Sequence, residues 1–307
     1  MAEGLQEYNF IISEDMEGVR IDKCVSLLAE SLSRSYIQKL LDDGKLTVNG
    51  RTVKASYRLN AEDYVCLLIP EAAAPSVSPE NIPLSVLYED DQVIVIDKPK
   101  GMVVHPAAGH TSGTLVNALL YHCAGNLSGI NGVLRPGIVH RIDKDTTGAI
   151  IACKNDFSHA SIAAQLKEHT IVRKYYAIVT GTLKEDTGEI RTNIGRHPSD
   201  RLKMAVVTQG GKHAVTHYRV LERFQKYTYV ECILETGRTH QIRVHMAHIG
   251  HPLLGDEVYG ASKVPFRLQG QTLHAGILGF IHPISGVYIE TQAPLPSYFE
   301  ELLHKLN

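Results

Sequence analysis

Apolar positions between residues 16 and 70 follow the spacing of two short helices. One set fits a single face of a first helix: Val19, Ile21, Val25 and Leu28. A second helix is predicted from about Arg34 to Leu41, because Ser33 can cap its start and Gly44 supplies the left-handed residue that often follows a helix. Three of its residues would form the buried stripe: Ile37, Leu40 and Leu41.

Strand signals follow the two helices. Asn49-Gly50 is a dipeptide favoured in tight hairpin turns, and short strand-like runs flank it at 45–48 and 51–53. Residues 63–69 supply a further, mostly apolar strand. The small residues and two prolines of 71–80 then disfavour helix and sheet alike. We therefore predict a small α+β domain at 14–72, a linker at 73–83 and a second domain at 84–307.

From residue 84 onward, strand patterns recur at short intervals and helices are few. Two apolar runs, 85–88 and 93–96, flank a polar turn, and residues 215–221 and 227–234 alternate in the manner of half-buried strands. Residues 114–122 and 157–168 are predicted as helices. The fold class is therefore α+β, with a mixed and mainly antiparallel sheet in the larger domain.

Composition places the chain among ordinary globular proteins, since 44% of its 307 residues are hydrophobic and 21% are charged. No apolar run reaches the length of a membrane span, and the polar, acidic N-terminus does not resemble a signal peptide. The five cysteines are widely spaced, which is typical of reduced thiols. We therefore expect a cytoplasmic protein without membrane partners, and we take it to be monomeric.

Charge is distributed unevenly along the chain. The net charge of −2 does not by itself indicate a nucleic-acid partner. Between residues 134 and 213, however, 13 Lys and Arg stand against eight Asp and Glu. A local cationic surface can bind a phosphate backbone even when the whole chain is nearly neutral.

Residues 140–148 read His-Arg-Ile-Asp-Lys-Asp-Thr-Thr-Gly and stand between two short apolar runs. Charges so close to buried segments are costly unless they are paired or used in function. Asp143 lies at the centre, with Arg141 and Lys144 on either side. These cations favour the ionised carboxylate that a nucleophile or a general base requires.

The His-Arg-Ile-Asp sequence with the following Lys-Asp-Thr-Thr-Gly resembles the active-site block of the RluA family of RNA pseudouridine synthases. The resemblance implies a bisected antiparallel sheet with a central cleft, and it makes Asp143 the catalytic nucleophile. His140, Arg141 and Thr146 would contact the substrate. The implied reaction isomerises uridines in structured RNA without a cofactor or a metal. Large-subunit ribosomal RNA is the expected substrate, with transfer RNA as a second possibility.

Three further blocks resemble the same family. Residues 97–106 would either buttress the cleft or contact the substrate. Residues 173–177, RKYYA, match a basic-x-Tyr-x-Ala pattern that selects Tyr175, whose ring can stack on a uracil face. In residues 234–245, the resemblance implies that Arg238 forms a salt bridge with the catalytic aspartate and holds it in one orientation. Arg243 and His245 would support the site or contact phosphate.

The N-terminal pattern resembles an S4 domain, which is an RNA-binding module. The resemblance is carried by Ser-Arg-Ser at 33–35, Gly-Lys at 44–45 and Val-Asn-Gly at 48–50. It implies that three basic residues face RNA phosphates: Arg34, Lys39 and Lys45. An S4-type module would raise the concentration of RNA near the catalytic domain.

Two other functions remain open at this level. Asp143 and Asp145 also fit the Asp-x-Asp-x-Thr signature of haloacid-dehalogenase-like phosphatases, which need magnesium and further carboxylates. The nearest downstream candidate, Gly255-Asp256-Glu257, lacks the second aspartate of that pattern. The second alternative is a non-catalytic RNA-binding protein. Zinc binding is not expected, since the histidines clustered at 240–251 have no cysteine pair to complete a familiar ligand set.

Overall fold

The structure is a computed structural model that describes residues 5–28, 34–70, 77–106, 110–130, 135–200, 203–260, 266 and 268–307. The chain divides into two compact units, Met1–Pro75 and Ser76–Asn307. No helix within the described ranges is long and apolar enough to cross a membrane.

Among its described residues, the N-terminal unit contains a four-stranded antiparallel sheet, two α-helices and a short 3-10 helix at Glu14–Met16. Its elements are β1 (Leu5–Ile11), α1 (Ile21–Leu28), α2 (Arg34–Asp42), β2 (Leu46–Val48), β3 (Arg51–Thr52) and β4 (Tyr64–Pro70). The strand order is β1-β4-β2-β3. The predicted helical stripe of α2 is buried against the sheet, in a core that also contains Ile21, Val25 and Leu67. Both helices, the hairpin and the final strand are therefore confirmed.

Three details of this unit differ from the sequence-based expectation. Strand β1 pairs with β4 along its whole length, so the unit starts upstream of the predicted boundary at residue 14. The sequence of β1 gives a weak strand signal because its N-terminal half is polar. Val19 precedes α1 and packs at the edge of the core. The expected cap at Ser33 falls outside the described residues.

The larger unit is built on one mixed sheet. Its strands are β5 (Ser85–Glu89), β6 (Val93–Lys98), β7 (Thr147–Cys153), β8 (Val172–Thr180), β9 (Thr187–Arg196), β10 (Met204–Val206), β11 (Lys212–Arg223), β12 (Tyr227–Leu234), β13 (Leu273–Ile281) and β14 (Tyr288–Gln292). Its helices are α3 (Leu115–His122), α4 (Asp156–Lys167), α5 (Gln241–His248) and α6 (Ser297–Leu306).

The strand order is β10-β9-β11-β12-β8-β13-β7-β6-β5, and β14 pairs with β13. Neighbouring strands of this sheet are antiparallel within the described ranges except β13 and β7, which run parallel with His274 opposite Thr147. The mixed, mainly antiparallel sheet is therefore confirmed. Its centre, where β8, β13 and β7 adjoin, is covered by a large apolar core that includes Ile150, Ala177 and Leu273.

Several segment boundaries become clear only in the structure. Thr114 is the N-cap of α3, where its hydroxyl accepts from the Asn117 amide and the Asn117 side chain accepts from the Thr114 amide. Residues 77–83, predicted as linker, belong to the larger unit, because Asn117 Nδ2 donates to Ser78 O and Val77 packs on the main core. The sequence patterns predict neither α5 nor α6. For α5 the reason is that its sequence is polar on most of its faces.

Candidate active site

The loop that carries Asp143 runs directly into strand β7 at the centre of the sheet. Inside the loop, the Thr146 amide donates to Asp143 O at 3.1 Å. His140 anchors its start, because the Ile151 amide of β7 donates to His140 Nε2 at 3.1 Å. Burial lowers the pKa of His140 to about 3, so this imidazole stays neutral and can accept that bond. A hydrogen bond from a β7 amide to the His140 side chain thus anchors the start of the loop, and a backbone hydrogen bond closes the turn at Asp143.

A buried lysine ties this loop to the segment that follows β6. Lys98 Nζ donates to three carbonyl oxygens, Pro99 O at 2.8 Å and Met102 O and Lys144 O at 2.9 Å. The Gly101 amide donates to the same Lys144 carbonyl at 3.0 Å. Burial lowers the pKa of Lys98 to about 7, against the attraction of Asp145 and Asp143. The block at 97–106 therefore buttresses the loop that carries Asp143.

Asp143 opens into a cavity of about 370 Å³. Asp143 is the single carboxylate among the described residues that line it, whereas five cationic side chains do so: Arg141, Lys167, Arg173, Arg238 and Arg243. Such a cavity attracts an anionic ligand and leaves one carboxylate to carry out chemistry. Tyr175 and Leu273 contribute ring and aliphatic surface to the walls.

Arg243, on α5, is the salt-bridge partner of Asp143. Its Nη1 donates to Asp143 Oδ2 at 2.9 Å. The remainder of the guanidinium holds Asp256 in a bidentate pair, with Nε to Oδ2 at 2.7 Å and Nη2 to Oδ1 at 2.9 Å. These two carboxylates raise the pKa of Arg243 far above its ordinary value, despite the opposing effect of burial. One guanidinium therefore orients the Asp143 carboxylate, and a second, fully buried carboxylate, Asp256, orients the guanidinium.

This geometry corrects the expected pairing of Asp143 with Arg238. Arg238 precedes α5, and its Nε donates to the His213 carbonyl at 2.9 Å. Its side chain still lines the cavity, but Arg243 alone of the two forms the ion pair with Asp143. The physical reason is the start of α5 between them: its first turn carries Arg243 inwards to a buried position, whereas Arg238 stays on the rim.

His240 stands on the other side of Asp143. Its Nε2 is 3.7 Å from Asp143 Oδ1, and its Nδ1 is 2.8 Å from the Tyr259 hydroxyl. Burial lowers the pKa of His240, although Asp143 pulls in the opposite direction. The residue adopts a left-handed conformation, with φ of 56°, at the N-cap of α5. Sequence reasoning missed both His240 and Asp256 as neighbours of the ion pair.

Tyr175 is buried in the cavity wall on β8. Burial raises the pKa of its hydroxyl, and Asp143 adds to the effect. Its neighbour Tyr176 points to the opposite face of the sheet and packs against Tyr229, with ring centroids 6.1 Å apart. The choice of Tyr175 over Tyr176 as the residue that reaches the cavity therefore agrees with the geometry.

The other predicted contact residues divide into three groups. Arg141 and Thr146 line the cavity, and Thr146 also accepts a hydrogen bond from Gln271 Nε2 at 3.1 Å. In the N-terminal unit, Lys45 is half-buried after α2. The side chains of Arg34 and Lys39 lie outside the described residues, although their backbone belongs to α2.

Three of the four histidines at 240–251 make hydrogen bonds within the protein: His240, His245 and His251. His245 is hydrogen-bonded to Thr192 and Thr216, and His251 Nδ1 lies 2.9 Å from Thr180 O. Within the ranges that the structure covers, one group has metal-ligand spacing, the surface cluster Glu189, His217 and Glu235. In this cluster Arg191 already forms an ion pair with Glu189 at 2.7 Å, which weakens the attraction of the Glu189 carboxylate for a metal cation.

The geometry does not support the phosphatase alternative. Asp256, the downstream carboxylate it would require, is buried in the bidentate pair with Arg243 and also accepts from the amides of Val258 and Tyr259. Both its oxygens are directed at protein donors, so it is poorly placed to bind a magnesium ion.

Comparison with known proteins identifies the family of the chain. A family profile described as RNA pseudouridylate synthase matches residues 92–248, and an S4-domain profile matches residues 19–65. A protein of Bacillus subtilis named as an uncharacterized RNA pseudouridine synthase is 51% identical over 99% of both chains. A ribosomal large subunit pseudouridine synthase D of Zymomonas mobilis is 46% identical over 96% of each chain.

Solved structures share the fold over about three quarters of the chain. Human RNA pseudouridylate synthase domain containing 4 is 26% identical and superposes with a TM-score of 0.56, covering 72% of this chain and 92% of its own. Human RNA pseudouridylate synthase domain containing 1 superposes with a TM-score of 0.57. The chain therefore belongs to the RNA pseudouridylate synthase family, with an N-terminal S4 domain, and is an isomerase that converts uridine to pseudouridine in RNA.

Proposed function

We propose that this enzyme modifies uridines of large-subunit ribosomal RNA and that Asp143 is its reactive carboxylate. The observation that carries the second part is the solitary position of Asp143, among the described residues, in a cationic cavity where Arg243 fixes its orientation at 2.9 Å. The names of several relatives, ribosomal large subunit pseudouridine synthase D, support the choice of RNA.

The proposed reaction starts when the target uridine leaves its stack and enters the cavity. Tyr175 packs against the uracil, and Asp143 assists cleavage of the bond between N1 and the sugar. The freed uracil turns within the cavity and rejoins the same sugar carbon through C5. The C5 proton departs and N1 gains one, so the reaction is an isomerisation. No electrons are exchanged with another molecule, so the proposed reaction needs no redox cofactor.

The S4 domain serves, in this proposal, to hold the structured RNA by its phosphates. Arg34, Lys39 and Lys45 are the residues that the motif selects for this role. Replacing all three with Gln in the full chain is expected to weaken RNA binding and to make it less salt-dependent. The slope of log affinity against log salt should fall by about 0.9 for each duplex phosphate that the variant no longer neutralises. Filter binding at several salt concentrations measures both the affinity and the slope. An unchanged slope would show that these residues do not neutralise RNA phosphates.

We further propose that the enzyme works as a cytoplasmic monomer. Sedimentation of the purified full chain over a range of concentrations tests the monomeric state. A mass near 33.9 kDa at every concentration is the expected result. A stable species of twice that mass would contradict it.

The deciding experiment maps pseudouridines in ribosomal and transfer RNA from cells with and without this protein. We expect discrete positions of large-subunit ribosomal RNA to lose their modification. A plasmid with the unaltered gene should restore them, whereas Asp143→Asn should bind RNA and restore none. Asp186→Asn is the matched control, because Asp186 is an exposed carboxylate paired with Arg223 on the surface. Loss confined to transfer RNA would refute the proposed substrate, and turnover by Asp143→Asn would refute the proposed nucleophile.

A further inference from the structure

Arg173 is a buried cation in the cavity wall with an incomplete set of partners. It lies on β8 and is 6% exposed. Its Nη2 donates to the Glu235 carbonyl at 3.1 Å, whereas its Nε is buried and has no hydrogen-bond partner among the described residues. Within the same described ranges, no carboxylate forms an ion pair with Arg173. A cavity-lining guanidinium therefore carries a full charge that no described protein anion balances.

Arg243 shows what balances a buried guanidinium in the same cavity. Its side chain is 7% exposed and has two carboxylate partners at 2.9 Å or less. Burial without such partners is costly, because it removes the charge from water and returns no ion pair. Burial accordingly lowers the pKa of Arg173 below the ordinary arginine value. A binding site for a ligand anion would account for the retention of this charge.

A second guanidinium faces the same space. Arg238 lines the cavity from its rim, and its Nε donates to a neutral group, the His213 carbonyl. Its charge lowers the pKa of Arg173 further, which places the two cations within electrostatic range. Gly237 adjoins both of them, and an added Cβ there would be 2.6 Å from Arg173 Nη1. Glycine at 237 therefore allows the rim loop to pass closely over the buried guanidinium.

We propose that Arg173 and Arg238 form a phosphate site that holds a backbone phosphate next to the target uridine. The proposal rests on the proposed function only in taking RNA to be the ligand. Arg173 is two residues before Tyr175, so both side chains lie on one face of β8, about 7 Å apart along the strand. In a nucleotide, the ribose places the base and the phosphate a comparable distance apart. A ring at one position and a cation at the other therefore match one nucleotide.

A uracil carbonyl is a weaker explanation for this pair of cations. A neutral oxygen would satisfy the free Nε of Arg173, but it would leave two adjacent positive charges uncompensated. A phosphate supplies both the charge and several acceptor oxygens, which a planar guanidinium binds in a forked geometry. The phosphate assignment also gives a role to Arg238, which forms no ion pair with Asp143 in the described structure.

The direct test uses wild-type enzyme and neutralised phosphates in the substrate. A short RNA hairpin that the enzyme modifies is prepared with a single methylphosphonate on the 5′ or the 3′ side of the target uridine. We expect one of the two to lower kcat/KM roughly 10- to 100-fold, as loss of a charged hydrogen bond does. Methylphosphonates elsewhere in the hairpin loop serve as controls. If neither flanking substitution lowers kcat/KM more than those controls, the proposal is overturned.

Variants then connect the phosphate to Arg173. Arg173→Gln should lose as much activity on the unmodified hairpin as wild type loses on the sensitive methylphosphonate, and the two changes together should cost no more than either alone. Arg173→Lys should recover part of the loss. Losses that multiply would show that Arg173 acts on something else. Lys174→Gln is the matched control, because Lys174 is adjacent on β8 but points to the opposite face.

Failure of this proposal is separable from failure of the proposed function. If wild-type enzyme modifies no ribosomal RNA substrate, the proposed function fails, and any RNA hairpin that it does modify still serves for the phosphate test. If modification is normal and insensitive to both flanking charges, the phosphate site alone fails. Should Arg173→Gln not fold, Gly237→Ala offers a second route, since its methyl group must displace the Arg173 guanidinium and is expected to abolish the methylphosphonate effect.

Discussion

The Asp256→Asn substitution tests how the buried guanidinium is held. Asp256 is fully buried and receives Arg243 Nε and Nη2 as well as two backbone amides. Asparagine has the same shape but no charge, and its side-chain NH2 would face N–H donors that now bind Asp256. Removing one member of a buried ion pair costs about 3–5 kcal/mol. Since Asp143 still balances Arg243, we expect the lower end, about 3 kcal/mol.

Asp143→Asn should be far less costly to stability. Asp143 is 17% exposed and receives only Nη1, while Arg243 keeps its bidentate pair with Asp256. We expect a loss of about 1 kcal/mol, near the value of a single hydrogen bond. At about 2–4 °C per kcal/mol, the melting temperatures of the two variants should differ by roughly 4–8 °C. Activity should follow a different order, with Asp143→Asn inactive and Asp256→Asn about 100-fold slower because Arg243 and Asp143 are displaced.

Circular dichroism on the full chain can follow both unfolding transitions. The chain has 14 tyrosines and no tryptophan, so near-ultraviolet signals report tyrosine environments. Asp186→Asn is the control, since it also removes a carboxylate from an arginine at 2.6 Å but at a site where the aspartate is 83% exposed. It should change stability by less than about 0.5 kcal/mol. Equal destabilisation by Asp143→Asn and Asp256→Asn would refute the unequal sharing of Arg243.

Three further predictions concern the surroundings of the site. Lys98→Met should lower the free energy of unfolding by roughly 3 kcal/mol, because three buried carbonyls lose their hydrogen-bond donor, and it should lower kcat more than it changes KM. Urea unfolding measures the stability and steady-state kinetics the activity, with Lys174→Met as the control. Gly148→Ala should cost more than the about 1–3 kcal/mol of a strained backbone, because φ is +106° and the new methyl also meets the Ala275 backbone. Gly286→Ala, at a φ of +68° and in open space, is the control for a positive φ without the steric contact, and urea unfolding measures both. Burial lowers the pKa of His245 to about 4, so between pH of about 6.5 and 4 the unfolded chain binds a proton at His245 that the folded chain does not, and stability should fall as the pH drops. His105 and His140 contribute to the same fall, because burial lowers their pKa values to about 4 and about 3. His245→Gln should therefore reduce the slope of stability against pH in this range, and an unchanged slope would contradict the assignment.

The sequence predicted those parts of the site that lie within one continuous motif. Asp143 and Tyr175 could be selected because each stands at a fixed place in a short block, and strand alternation separates Tyr175 from Tyr176. The choice between Arg238 and Arg243 could not be made in this way. It depends on where α5 begins, and the polar sequence of α5 gives no clear helical periodicity.

Contacts between distant segments were the other part that sequence patterns could not supply. Asp256 appeared in the sequence as an incomplete metal motif, and only its distance from Arg243 identifies it as a structural anion. Arg173 matched the basic position of a motif, but its burial and its free Nε are properties of the folded chain. Strand β1 is similar, since its role depends on pairing with β4, which lies far downstream in the chain.

The candidate site is assembled from segments that are far apart in the chain. Lys98 contacts a carbonyl 46 residues later, and Asp143 pairs with an arginine 100 residues later. Contacts between distant segments form more slowly than local ones, so we expect this site to form late in folding. During synthesis, Asp143 leaves the ribosome long before Arg243 and Asp256 are available to orient it. A nascent chain therefore cannot modify RNA until most of the larger unit has been made, and truncated products should be inactive.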